Sequence, residues 1–122
     1  MPFRGCALPV QMFALERIAD YPYALMSAGA DFSREVGRHV VAQGTVLIDN
    51  SSAWRMAEDV PLVVHEVNGE LLASGPQLIA NPNCAAIQLL VSVHPFERCF
   101  KVQEIHLATY QSVSGTGQRG LD

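Results

Sequence analysis

The sequence predicts an α/β fold built on a mostly parallel sheet. Short apolar, often β-branched runs alternate with segments of helical periodicity, and the runs end in small polar residues. The 122 residues fit one domain and leave little room for two. With 49% apolar and 16% charged residues, the chain is no solvated, disordered polymer, and a real core is within reach.

The elements follow in order. The first residues read as a strand or hairpin. Tyr23-Ala24-Leu25-Met26-Ser27 is a short apolar run ending in Ala28-Gly29, which reads as a buried strand and its turn. Asp31 or Ser33 can cap a helix from about Phe32 to Ala42, with Val36, Val40 and Val41 on one side and Gly44 as its stop. Thr45-Val46-Leu47-Ile48-Asp49 is a strand that empties into Asn50-Ser51-Ser52. Pro61 to Val64 is a further apolar run, and Gln77-Leu78-Ile79-Ala80 another, ending in Asn81-Pro82-Asn83. From Cys84 to about Phe96, Ala86, Ile87, Leu89, Leu90 and Val93 suit a largely buried helix. Gln103 to Tyr110 alternates like a strand. Ser114 to Gly120 is small and polar, a loop leading toward a helix begun at Gly120-Leu121-Asp122. The two ends together point to an excerpt from a longer α/β protein.

Several function classes fall away. The formal charge is −4 and no Arg/Lys stripe exists, which excludes a nucleic-acid footprint. No run of about 18 apolar residues spans a membrane. The N-terminus lacks the apolar stretch of a signal peptide, so a reducing cytoplasm is the expected setting. Cys6, Cys84 and Cys99 are odd in number and widely spaced, which argues against a disulfide framework and against a zinc site of CxxC spacing; no metal is expected.

Cys84 leads the residues that can carry chemistry. It follows Asn81-Pro82-Asn83 at the start of a helix, where unpaired N–H groups and the positive end of the helix dipole favour an anion. The same N–H groups can hold the oxyanion formed when a thiolate attacks a carbonyl. The competing reading is a plain structural cysteine, the one preferred for Cys6 and Cys99. Arg55 comes next. Small polar residues after a strand, followed by an arginine fork, suit an anion at the carboxyl end of a parallel sheet. A solvated loop arginine is its alternative. Ser27-Ala28-Gly29-Ala30 is a turn at which a cofactor can approach the backbone, and Ser114-Gly115-Thr116-Gly117 has the same standing. Neither is a GxGxxG fingerprint. His39, His65, His94 and His106 read as structural. His65, just after a strand, is the one best placed to assist a cysteine.

Taken together, five ordered blocks resemble aspartate-semialdehyde dehydrogenases. They are Val46-Leu47-Ile48-Asp49-Asn50-Ser51-Ser52-Ala53-Trp54-Arg55-Met56, Asp59-Val60-Pro61-Leu62-Val63-Val64, Glu66-Val67-Asn68, Ile79-Ala80-Asn81-Pro82-Asn83-Cys84 and Thr109-Tyr110-Gln111-Ser112-Val113-Ser114-Gly115-Thr116-Gly117. Phe3-Arg4-Gly5 and Leu25-Met26-Ser27-Ala28-Gly29 fit the preceding part. The resemblance implies an incomplete Rossmann-type parallel sheet over residues 1–80, the later part of an NADP-binding domain. Residues 81–122 would open an α+β catalytic and dimerisation domain. The implied reaction is NADPH-dependent reduction of L-aspartyl 4-phosphate to L-aspartate 4-semialdehyde with release of phosphate, a step toward lysine, threonine, methionine and diaminopimelate. Cys84 would form the acyl-thioester, and Gln111 would contact the substrate and orient its acyl group. Arg55 would bind the phosphate and Asn83 would line the site. Ser27, Ala28 and Gly29 would lie along NADP, which Ser114 and Gly115 would also contact. A homodimer or homotetramer is expected of the full-length family member.

Four departures from the family pattern stand out. The family's Gly-rich dinucleotide turn would precede the position of Met1, and its substrate arginine and acid/base histidine would follow that of Asp122. Within the 122 residues little or no dehydrogenase activity is therefore expected. His65 stands where a proline is usual before Glu-Val-Asn, and Trp54 where phenylalanine is usual. The alternative reading is a non-catalytic truncated homologue that at most docks on a full-length subunit.

Overall fold

The computed structural model describes residues 1–113. A short antiparallel hairpin comes first, β1 (Pro2–Phe3) paired with β2 (Cys6–Ala7). A 3₁₀ turn at Leu15–Asp20 leads into β3 (Tyr23–Met26), α1 (Ala30–Ala42) and β4 (Val46–Asp49). The short helix α2 (His65–Asn68) and a second 3₁₀ turn (Gly69–Ser74) precede β5 (Leu78–Ala80) and the long helix α3 (Cys84–Phe100).

The three later strands form one parallel sheet in the order β3-β4-β5. The predicted α/β class is therefore the observed one. Helix α1 is the crossover between β3 and β4, which parallel strands require. Its Val40 joins Met26, Leu47, Val60, Leu78 and Ala80 in the core. Along β4 the side chains alternate as a pleat demands: Leu47 and Asp49 are buried, Val46 and Ile48 half-buried. Thr45, just ahead, is also buried, and its hydroxyl reaches the carbonyls of Ile18 (2.9 Å) and Tyr21 (2.8 Å), tying the first 3₁₀ turn to the sheet.

Some expectations need correction. Neither Asp31 nor Ser33 caps α1. Gly29 holds that position with φ 96° and ψ 161°, so the helix starts earlier and Ser33 is a buried residue of its first turns. β3 is not a buried strand. It lies at the sheet edge, so Tyr23 and Leu25 are 67% and 81% exposed. Pro61 to Val64 makes only an isolated bridge, Leu62 to Ala80, although the Val63 amide does donate to the Ala80 carbonyl (3.0 Å). Proline has no N–H to extend such a ladder.

Helix α3 runs on to Phe100 through an interior Pro95, and none of its residues is buried. Helix α2 packs against it, and residues 102–105 border a hollow beside it. Residues 103–110 form no strand: alternation of Ile105 and Leu107 makes a strand only where another edge offers hydrogen bonds. His106 there pairs with Glu104 (3.0 Å). The expected loop over 114–120 lies outside the described residues.

Candidate active site

Register brings the candidate residues together. Met26 pairs with Asp49, and Asp49 with Ala80, so the strands end level with one another. The next residues, Ser27, Asn50 and Asn81, leave the sheet side by side. Their amides prolong the ladder by one rung: Asn50 donates to the Met26 carbonyl and Asn81 to that of Asp49, both at 2.8 Å. Side chains then link the three exits. The Asn81 carboxamide donates to Asn50 Oδ1 (2.7 Å), and Asn50 Nδ2 donates to Ser27 Oγ (3.5 Å). This is the carboxyl edge of a parallel sheet, where α/β folds bind ligands.

Arg55 is fastened to that edge. Its Nε donates to the Asn81 carbonyl (2.9 Å) and one terminal nitrogen to the Asn50 carbonyl (3.2 Å). The half-buried Arg55 thus spans the exits of β4 and β5, and among the described residues its other N–H groups have no hydrogen-bond partner. Asp49 shapes the approach. Its buried carboxylate accepts from the Ser51 amide (3.2 Å) and hydroxyl (2.6 Å), and Ser51 Oγ accepts from the Ala53 amide (3.1 Å). Two successive side-chain turns bend the chain back toward β5.

Cys84 is the first residue of α3 and is exposed. Asn83 is the N-cap, in extended backbone, and its Oδ1 accepts from the Ala85 amide (3.0 Å). No acidic residue occupies the first turn, so the dipole end is left to an incoming anion. Pro82 is buried and anchors the turn between the sheet edge and the cysteine. Cys84 therefore sits three residues after the carbonyl that holds Arg55.

Ser27, Ala28 and Gly29 form the exposed turn from β3 to α1. The Gly29 backbone lies in a region essentially closed to other residues, and a Cβ built there meets nothing within 4 Å. The space above the turn is open, which suits the close approach of an extended cofactor. Because the space is open, Gly29→Ala isolates backbone strain. The expected loss is about 1–3 kcal/mol of unfolding free energy, read as a lower urea midpoint with an unchanged slope.

Other expected residues do not join this cluster. Gln111 is exposed beyond α3, and no hydrogen bond ties it to the strand exits among the described residues. Ser114 and Gly115 lie outside the described residues. Cys6 belongs to the hairpin and Cys99 to the last turn of α3. His39 contacts the Glu35 carbonyl on its own helix (3.0 Å). His94 lines an apolar hollow of about 490 Å³ between α2, α3 and residues 102–105, with Val67, Leu90, Val93 and Ile105. His65 is the first residue of α2, where proline's missing N–H costs nothing, so either residue suits that place. Sequence reasoning missed Asn81 as the bridge and Asp49 as the buried turn acceptor. Their signal was a polar residue at or just past the end of each apolar run.

The chain is similar to known proteins along its length. The family model for the semialdehyde dehydrogenase NAD binding domain matches residues 1–75. Aspartate-semialdehyde dehydrogenase of Bacillus subtilis is 39% identical over 119 residues, covering 98% of this chain and 34% of its own length. That of Synechocystis is 37% identical over all 122 residues and 36% of its own length. The crystal structure of aspartate semialdehyde dehydrogenase II from Vibrio cholerae superposes with a TM-score of 0.84 at 39% identity, over all of this chain and 37% of that one. A structure of the same enzyme complexed with ASA matches at a TM-score of 0.73 and 38% identity, over 81% of this chain and 33% of that one. The chain thus spans about a third of the length of the curated relatives it matches. Matched by the family model over more than half its length and aligned along its whole length with these relatives, the chain belongs to the aspartate-semialdehyde dehydrogenase family.

Proposed function

We propose that this chain carries the acyl-transfer centre of an aspartate-semialdehyde dehydrogenase acting on L-aspartyl 4-phosphate, with NADP as its nicotinamide. One observation carries the reading: Arg55 is bonded to the Asn81 carbonyl, and Asn81 leads through a buried proline and a capping asparagine to Cys84 at a helix N-terminus. That connection supports reading Arg55 as the phosphate holder and Cys84 as the nucleophile of one site.

In the proposed step Cys84 gives its thiol proton to solvent and its sulfur attacks the acyl carbon. A C–S bond forms, and the C–O bond to phosphate breaks with its electron pair leaving on the phosphate. The N–H groups of the first turn of α3 hold the oxyanion between these events. Arg55 keeps the departing phosphate, to which it offers fixed donors. Asn83 lines the site beside the sulfur, and Gln111 orients the acyl group. NADPH, when bound, supplies the hydride that turns the thioester into the semialdehyde. Ser27, Ala28 and Gly29 would flank it, with Ser114 and Gly115.

In this reading residues 1–80 belong to the nucleotide-binding domain and 81–122 open the catalytic and dimerisation domain. The setting is the cytoplasm, the role amino-acid biosynthesis, and the full-length assembly a homodimer or homotetramer. On their own the 122 residues acylate but turn over little or no NADPH, because no Gly-rich phosphate-cradling turn stands among them.

Mixing the chain with L-aspartyl 4-phosphate, without nucleotide, tests the reading. The expected result is a burst of about one phosphate per chain, with the aspartyl mass retained on the peptide containing Cys84. Phosphate release at the buffer rate overturns it.

A further inference from the structure

Trp54 precedes Arg55 and faces α1, whereas Arg55 faces the strand exits. The indole Nε1 donates to Ser33 Oγ (2.8 Å), and Ser33 is fully buried. The ring lies against Gly37, where a Cβ would come within 3.0 Å of it. Arg38, one residue further along α1, places its guanidinium 4.9 Å from the ring centroid. The same Arg38 donates to both carboxylate oxygens of Asp59 (2.9 and 2.7 Å). Helix α1 therefore grips the loop from Asn50 to Val60 at two points, Trp54 and Asp59, with Arg55 beside the first.

We propose that Trp54 is a positioning residue for the anion site: its bond to Ser33 fixes the loop so that Arg55 stays on the Asn50 and Asn81 carbonyls with its free donors turned outward. This rests on the reading that Arg55 holds phosphate. The physical ground is preorganisation. A guanidinium already held in place loses less freedom when an anion arrives. A phenylalanine fills the same hollow and lacks the N–H, so the hydrogen bond is a property that tryptophan adds here. Removing it also leaves the buried Ser33 hydroxyl without this partner.

The test is a calorimetric titration of the 122-residue chain with inorganic phosphate, run beside tryptophan emission. Trp54 is the sole tryptophan of the chain, so the emission reports this loop. The wild-type chain is expected to bind saturably, with an emission change that follows occupancy. Arg55→Ala is expected to lose both. Trp54→Phe and Ser33→Ala are expected to weaken phosphate about tenfold, the equivalent of one buried hydrogen bond, with unchanged far-UV circular dichroism. In Ser33→Ala the emission change on adding phosphate should shrink as well, a signature that lost stability alone does not produce.

If Trp54→Phe binds phosphate as the wild type does while Arg55→Ala does not, the positioning role is overturned and the phosphate reading stands. If Arg55→Ala binds unchanged, or the wild type does not bind, the phosphate reading falls and the proposal with it. Should Trp54→Phe fail to fold, Ser33→Ala removes the same bond from its other side; an unchanged phosphate affinity there overturns the proposal.

Discussion

Cys84→Ala is expected to erase the phosphate burst with L-aspartyl 4-phosphate, a drop on the order of a thousandfold or more in acylation rate. The reason is local. A thiol attacks without a neighbouring base, whereas the hydroxyls of Ser27 and Ser51 at the strand edge need one, and no histidine joins that cluster among the described residues. Cys84→Ser is the sharper variant. Its hydroxyl occupies nearly the same place at the head of α3, but a serine needs a neighbouring base before it attacks. It should therefore acylate hardly better than alanine. Cys99→Ala sits at the other end of the same helix, where the dipole has the opposite sign, and should leave the burst intact. Stopped-flow phosphate detection with intact-mass analysis reads all three. A full burst from Cys84→Ala, or its loss in Cys99→Ala, would move the nucleophile elsewhere.

Leu47→Ala should cost about 2–5 kcal/mol of folding free energy. Leu47 is 0% exposed at the middle of the central strand, among the few fully buried side chains of the described residues. Small domains hold roughly 5–15 kcal/mol in all, so this loss threatens the fold. Leu25→Ala is the matched control. It stands one strand over at 81% exposure, and surface changes of this kind stay within about 0.5 kcal/mol. Urea unfolding followed by Trp54 emission checks both. Equal effects of the two would mean that the edge strand is covered in solution. The site reports on the same event, because Ser27, Asn50 and Asn81 are neighbours only while the three strands remain in register.

Much of this was legible in the sequence. Apolar runs located β3, β4 and β5 to within a residue or so, and periodicity located α1 and α3. Cys84 was placed at a helix start by Asn-Pro-Asn alone, and the structure puts it there. What the residues did not disclose was adjacency. Asn50 and Asn81 each stand one position past a strand, but only the sheet order makes the pair hydrogen-bond. The helix cap was misread for a related reason. Ser33 is a good capping residue, yet its hydroxyl was already committed to an indole 21 positions away. Residues 103–110 show the limit of alternation as a signal, since a strand is a relation between two segments and periodicity describes one.

Pro95 gives α3 a mechanical character. Without an amide hydrogen it cannot bond to the Val91 carbonyl, and its ring presses against that turn. The helix therefore has one weakened turn between Val91 and Pro95, where bending costs less than elsewhere along its axis. A displacement of Phe96 or Phe100 is expected to be taken up partly at that turn before it reaches Cys84 at the capped end.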